Sequence, residues 1–192
     1  MHKKLADIAS ITTGVYEKVQ LSGDTLYLQG KHFDEGGLFR EDLVIPSELQ
    51  SDERLGKHLL MDGDILLVAK GENNRACLYL NAIGQAVASS IFFVIRLRDG
   101  KLQPAFLQWY FNTAYMQEVF AGLSKGTQIA SLSKKTLADI EIPIPSMKIQ
   151  QEILDIQGLW DKEKSLTRTL LNQKDVLYQQ LLLNRLKSAL VK

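Results

Sequence analysis

The stretch from Met147 to Leu190 constrains what the rest of this chain can be. Ile149, Ile153, Ile156, Trp160, Leu170, Leu177 and Leu181 fall at alternating three- and four-residue steps or whole sevens, with polar residues between them and no proline. Gly158 alone interrupts the helix formers. The spacing predicts a single helix which, at about 1.5 Å per residue, runs to about 65 Å, longer than a small domain is wide. It is therefore expected to leave the globular body. A lone helix cannot bury an apolar stripe on itself, so the stripe calls for a partner helix or another protein.

The segment feeding this helix reads as punctuation. Ile140-Glu141-Ile142-Pro143-Ile144-Pro145 is a short alternating strand closed by two prolines, the second releasing the chain into the helix. Further upstream, Leu5, Ile8 and Ile11 mark a short amphipathic turn or strand ended by Thr12-Thr13-Gly14, and Tyr27 to Gly30 a strand closed by glycine. Lys31 to Arg54 is rich in Asp, Glu and Gly and predicts a long irregular excursion, a candidate recognition loop. The clearest β signal is the Asp62-Gly63-Asp64 turn followed by a buried strand over Ile65 to Ala69. A loop over Lys70 to Arg75, a strand over Cys77 to Leu80, and strands over Ala86 to Ala88 and Ile91 to Leu97 follow, with Arg96 and Arg98 directed outward. Pro104 opens a helix whose apolar face is Phe106, Leu107, Tyr110, Phe111, Ala114, Val119 and Phe120, stopped at Gly122. Trp109 lies on or beside that stripe and reads as core. The fold class is α+β: a mixed α/β domain over 1–146, then a long coiled-coil helix over 147–192.

With 192 residues, 45% of them hydrophobic, the chain has room for one domain of about 100–150 residues plus an appendage. Its apolar runs are too short to span a membrane and no apolar signal follows Met1-His2-Lys3-Lys4, so a cytoplasmic protein is expected. Cys77 is the single cysteine, which rules out an internal disulfide and reads as a small core residue. The net charge of +1 divides into −2 over 1–146 and +3 over 147–192, so bulk charge decides nothing about nucleic acid. Val119 to Ala138 holds no acidic residue, and Lys125, Lys134 and Lys135 stand there among serines and Thr127. A solvated loop and a phosphate-contacting edge both fit that pattern.

Several enzyme signatures are missing. The sequence has no Gly-x-Gly-x-x-Gly, no Gly-x-x-x-x-Gly-Lys-Ser/Thr and no Asn/Asp-Pro-Pro-aromatic segment of amino-methyltransferases. His2, His32 and His58 are too scattered for a metal site.

The order of parts resembles the specificity subunit of type I restriction-modification systems along the whole chain. Gly63-Asp64-Ile65-Leu66, Ser89 to Ile95, the Pro104-led helix, Gly126-Thr127 and Ile140 to Ile153 carry the resemblance. The Ile-Pro-Ile-Pro junction into the helix is its most specific part. Where the family usually has Pro-Pro-Leu-x-Glu-Gln, this chain has Pro145-Ser146-Met147-Lys148-Ile149-Gln150. The resemblance implies a target recognition domain, and a non-catalytic reader of double-stranded DNA. Methylase (M) subunits would supply S-adenosylmethionine chemistry, and a restriction (R) subunit ATP- and Mg-dependent translocation and cleavage, with no cofactor on this chain. Family members typically carry two recognition domains and two long helices, so one of each resembles a half-subunit. Two rivals remain: an orphan regulatory DNA-binding protein and a coiled-coil adaptor that touches only protein.

Base readout is expected from the loops at Lys31 to Arg40 and Lys70 to Arg75, where Arg40, Asn73, Asn74 and Arg75 offer donors and acceptors suited to guanine and adenine. Phosphate contacts are expected from Lys125, Lys134 and Lys135. Glu163, Thr167, Lys174 and Asn184 break the helix seam, and an antiparallel pairing sets Glu163 against Lys174. That geometry predicts an antiparallel homodimer with identical recognition domains at its two ends and an interrupted palindrome as target.

Overall fold

The computed structural model describes residues 1–18, 22–40, 43–70, 73–123 and 131–190. They fall into two compact units, Met1–Gln150 and Gln151–Lys192.

The first unit is built on two sheets. Four strands, β2 (Ala9–Thr13), β8 (Phe92–Leu97), β5 (Ile65–Val68) and β6 (Ala76–Leu78), are antiparallel in that order. The interior strands are apolar without alternation: Ile65, Leu66 and Leu67, and Phe92 to Ile95, are all buried, because both faces of the sheet are covered. The second sheet has the order β4 (Ser47–Leu49), β3 (Thr25–Leu28), β7 (Ala86–Ala88), with β3 and β7 parallel. Leu28, Phe33, Leu66, Tyr79, Ala88 and Phe92 belong to one core cluster that joins the two sheets. A two-stranded pair, β1 (His2–Lys4) with β9 (Glu141–Pro143), ties the N-terminus to the segment before the long helix. Pro143 is tolerated there because a two-stranded sheet has free edges.

Short helices complete the unit: α1 (Leu5–Ile8), α2 (Glu53–Gly56), α3 (Pro104–Phe111), α4 (Ala114–Leu123) and α5 (Lys134–Ala138). The single helix expected after Pro104 is thus two. Asn112 breaks it, since its side chain accepts from Ala76 N–H at 2.8 Å and donates to Ala76 O at 2.8 Å, spending the residue on β6. Thr113 then caps α4, its hydroxyl accepting from Met116 N–H. The apolar face shifts accordingly. Met116 is buried, while Ala114 is exposed and Tyr110 and Val119 are half-buried; Gly122 lies inside α4. Trp109 packs half-buried against Phe106, ring centroids 5.5 Å apart.

The expected excursion over Lys31 to Arg54 is more ordered than its composition suggests. It holds a 3₁₀ turn (Gly30–His32), β4 and α2, whose N-cap Asp52 accepts from Leu55 N–H. Asp64 is the larger surprise. It closes the turn at Gly63, whose φ of +82° suits glycine, but its carboxylate is fully buried. Arg96 reaches it with two hydrogen bonds, 2.7 and 2.6 Å, and donates to Leu59 O as well. Arg96, expected to point outward, thus turns its guanidinium onto Asp64, although its side chain stays 38% exposed. Its pairing with Asp64 raises its pKa above the ordinary arginine value.

The long helix, α6, spans Met147–Leu190 and runs through Gly158 without a break. Its first turn belongs to the first unit. Gln150 there is fully buried, accepts from Gln103 N–H at 2.8 Å and donates to Lys101 O and Pro145 O. In the second unit Ile156, Trp160, Leu170, Leu177 and Leu181 are exposed and Ile153 is half-buried. Ile149, in the first turn, is exposed too. Leu159, Leu166, Leu171, Tyr178 and Leu182 are also exposed, so the apolar surface is broader than the seam read from heptad spacing. Within the helix Lys164 pairs with Asp161 at 2.6 Å and stands over the Trp160 ring.

Candidate nucleic-acid interface

Loops distant in sequence meet along one side of the first unit, and backbone hydrogen bonds show how. Ala69 N–H donates to Ile91 O, and Leu132 N–H donates to Ala69 O, both across one bond length of about 2.8–2.9 Å. Lys70 is bridged antiparallel to Ser131. The 30–40 loop joins them through Arg75, whose guanidinium donates to Asp34 O at 2.5 Å and Gly30 O at 2.9 Å. The same loop is held from behind by α3, with Gln108 and Asn112 donating to Gly36 O. Lys31, Arg40, Lys70, Asn73, Lys134 and Lys135 all present exposed side chains on these segments. Ser133 caps α5 by accepting from Thr136 N–H, which orients the two lysines that follow it.

Two expected base readers are not available for that work. Asn74 is only 5% exposed; its amide donates to Val68 O, and its backbone O accepts from Gln117. It closes the β5–β6 loop upon itself. Arg75 is half-buried and committed to two backbone carbonyls, so it braces the 30–34 segment and offers no free fork to a base. Lys125 lies outside the described residues, as do Gly126 and Thr127. Neither Gln108 nor Asn112 was singled out from sequence. Their role depends on carbonyls of residues 36 and 76, which no local pattern reveals.

His32 is buried at the end of the 3₁₀ turn and accepts from Gln29 N–H through Nδ1 at 3.1 Å. Burial, assisted by the Lys31 charge, lowers its pKa below the ordinary 6.5. A base with a depressed pKa binds its proton more readily in the unfolded chain. Stability contributed by neutral His32 is thus fully present above 6.5 and lost as pH falls below it. Urea midpoints should drop on acidification through that window, and a His32→Gln chain should be less stable at neutral pH but show a flatter profile. Equal slopes in both chains would mean that His32 is not the titrating group. Cys77 does not share this chemistry: burial pushes its thiol up to about 12, leaving it neutral.

Among the described residues no cluster of three or more His, Cys, Asp or Glu could hold a metal ion, and no helix is long and apolar enough to cross a membrane. The model of the type I restriction modification DNA specificity domain matches residues 3–174. The chain belongs to that family. Solved structures agree in fold. One describes the assembly and conformational transition of a type I restriction-modification system, at 19% identity and a TM-score of 0.64, with 88% of this chain and 40% of that chain covered. The specificity subunit from M. genitalium aligns at 18% identity and a TM-score of 0.57, covering 84% and 39%. The HsdS subunit of Thermoanaerobacter tengcongensis aligns at 17% identity and 0.60, covering 88% and 39%. The chain thus spans about two fifths of the length of these structures. No curated protein matched the sequence. For a specificity domain the convergent loops are the natural place to look for DNA contact, since phosphate-directed cations and base-directed side chains must share one surface.

Proposed function

We propose that this specificity domain reads one half-site in double-stranded DNA through the edge formed by the 30–40, 69–70, 73–75, 89–91 and 131–135 segments. Methylase and restriction subunits of a type I system are the partners it directs, and it pairs antiparallel with a second copy along α6. S-adenosylmethionine, ATP and Mg act in those partner subunits, and this chain performs no catalysis. The observation that carries the reading is the convergence of Lys31, Arg40, Lys70, Lys134 and Lys135 on neighbouring loops of a chain in the specificity family.

Lys70, Lys134 and Lys135 take the phosphates, as exposed flexible cations suit a contact without sequence information. Each phosphate contact contributes roughly one unit to the slope of log K against log salt. Lys70→Ala, Lys134→Ala and Lys135→Ala combined should therefore weaken binding to every duplex alike and flatten the salt dependence by roughly three units. Gel shifts from low to moderate salt measure both. Full-strength binding with an unchanged slope would move DNA contact elsewhere, and no binding by the unsubstituted chain would favour a protein adaptor.

A further inference from the structure

At the end of the DNA-facing side lies a concavity of about 470 Å³, into which Tyr16, Glu17, Gln29, Lys31, Ser89 and Ser90 contribute. The backbone around it is tightly packed. Val15 N–H donates to Ala88 O, Ser89 N–H donates to Leu28 O, and a Cβ on Gly14 would collide with Ser89 O. Tyr27 is buried beneath, its hydroxyl committed to Val15 O at 2.9 Å. The concavity is thus a preformed feature of strand ends, with polar side chains supplied by three separate loops.

Two of its side chains present donors. Lys31 can only donate. The Gln29 carbonyl accepts from His32 N–H, which leaves the amide nitrogen, a donor. Tyr16, 80% exposed, Ser89 and Ser90 add hydroxyls, which donate or accept. Glu17 is the carboxylate in the lining, and Arg54 pairs with it at 2.6 Å. Ser89 is the telling member. It is 5% exposed, and its Oγ has no hydrogen-bond partner among the described residues. A buried hydroxyl left unpaired costs stability, and a partner that reached it would recover that cost.

We propose, building on the DNA-reading function above, that this concavity is a base-reading pocket and that Lys31, Gln29 and the Ser89 and Ser90 hydroxyls select an acceptor-rich base edge, that of guanine. In the major groove guanine shows two acceptors, O6 and N7, whereas adenine offers one acceptor beside a donor and cytosine a donor. A backbone phosphate is also an acceptor. The neutral donors and the nearby Glu17 carboxylate suit an uncharged base better than a phosphate.

The test uses the full chain and a pool of duplexes with a randomised central segment, sequencing what is retained. The unsubstituted chain should enrich a motif with a guanine at one defined position. Lys31→Met and Ser89→Ala should each lose about tenfold of the preference at that same pair and leave other positions unchanged. Lys31→Arg, which restores a donor fork, should keep guanine. Ser89→Ala should melt no lower than the parent, since the lost hydroxyl bonds to nothing in the protein. Uniform weakening without loss of preference would assign the pocket to phosphate and overturn the proposal. So would a motif that both variants enrich unchanged, or one in which they relax a position other than guanine. Absence of any motif with the unsubstituted chain would overturn the DNA-reading function itself, and the pocket with it.

Discussion

An Arg96→Met chain should unfold at a much lower urea concentration than the parent, with about 3 kcal/mol of stability lost. The Asp64 carboxylate is buried and takes two hydrogen bonds from the guanidinium, so deleting Arg96 leaves a charge that retains the Met61 N–H as a donor but has no counter-ion. Methionine keeps the length and the apolar stem, which separates loss of charge from loss of packing. The pair joins the Gly63 turn to β8, and β8 lies in the middle of the four-stranded sheet beside β5. Removing both charges together, as Asp64→Leu with Arg96→Met, should cost less than the single change, because it is the uncompensated carboxylate that is expensive. Equilibrium unfolding of the three chains tests this. A single Arg96→Met change within about 0.5 kcal/mol of the parent would show that water replaces the guanidinium at Asp64.

Leu170→Lys combined with Leu177→Lys should turn a dimer into a monomer at tens of micromolar protein. Both leucines are about half exposed in the single chain, at 51% and 52%, which is surface that pairing would cover. Four leucines per antiparallel pair at about 1.5 kcal/mol each sum to about 6 kcal/mol, or roughly ten-thousand-fold in association. Sedimentation of the parent and the double variant, each at several concentrations, measures it. Glu163 and Lys174 supply a second handle. Reversing Glu163 to Lys should weaken the pair, and adding Lys174→Glu should restore it, since the proposed antiparallel register would set the two against each other. A parent chain that sediments as a monomer would assign the exposed face to the helices of other subunits. A double variant that dimerises as before would place the contact off this seam.

What could be read without tertiary structure was whatever rests on local spacing. The α6 periodicity, the apolar strands read over Ile65 to Ala69 and Ile91 to Leu97, proline at the start of α3 and the proline-closed strand before α6 are all patterns within a few residues. Gln150 stood out in the junction motif, and its three hydrogen bonds explain why an amide belongs there: it satisfies one backbone N–H and two carbonyls at once. The candidate site was legible as far as its loops. Lys31, Lys70 and Asn73 remain exposed on them, whereas Asn74 and Arg75, chosen for the same chemical reason, are consumed in holding those loops.

The division follows from the range of the forces involved. Periodicity, capping and proline chemistry act over a turn of helix or a strand, so local spacing alone specifies the long helix, the apolar strands and the order of the parts. Hydrogen-bond partners have no such limit. Asp64 and Arg96 stand 32 residues apart, Arg75 and Gly30 45, and Asn112 and Ala76 36. Which polar side chains stay available for DNA and which are spent on the fold was decided only by tertiary structure, because a donor is available only where folding has not already brought a carbonyl to it.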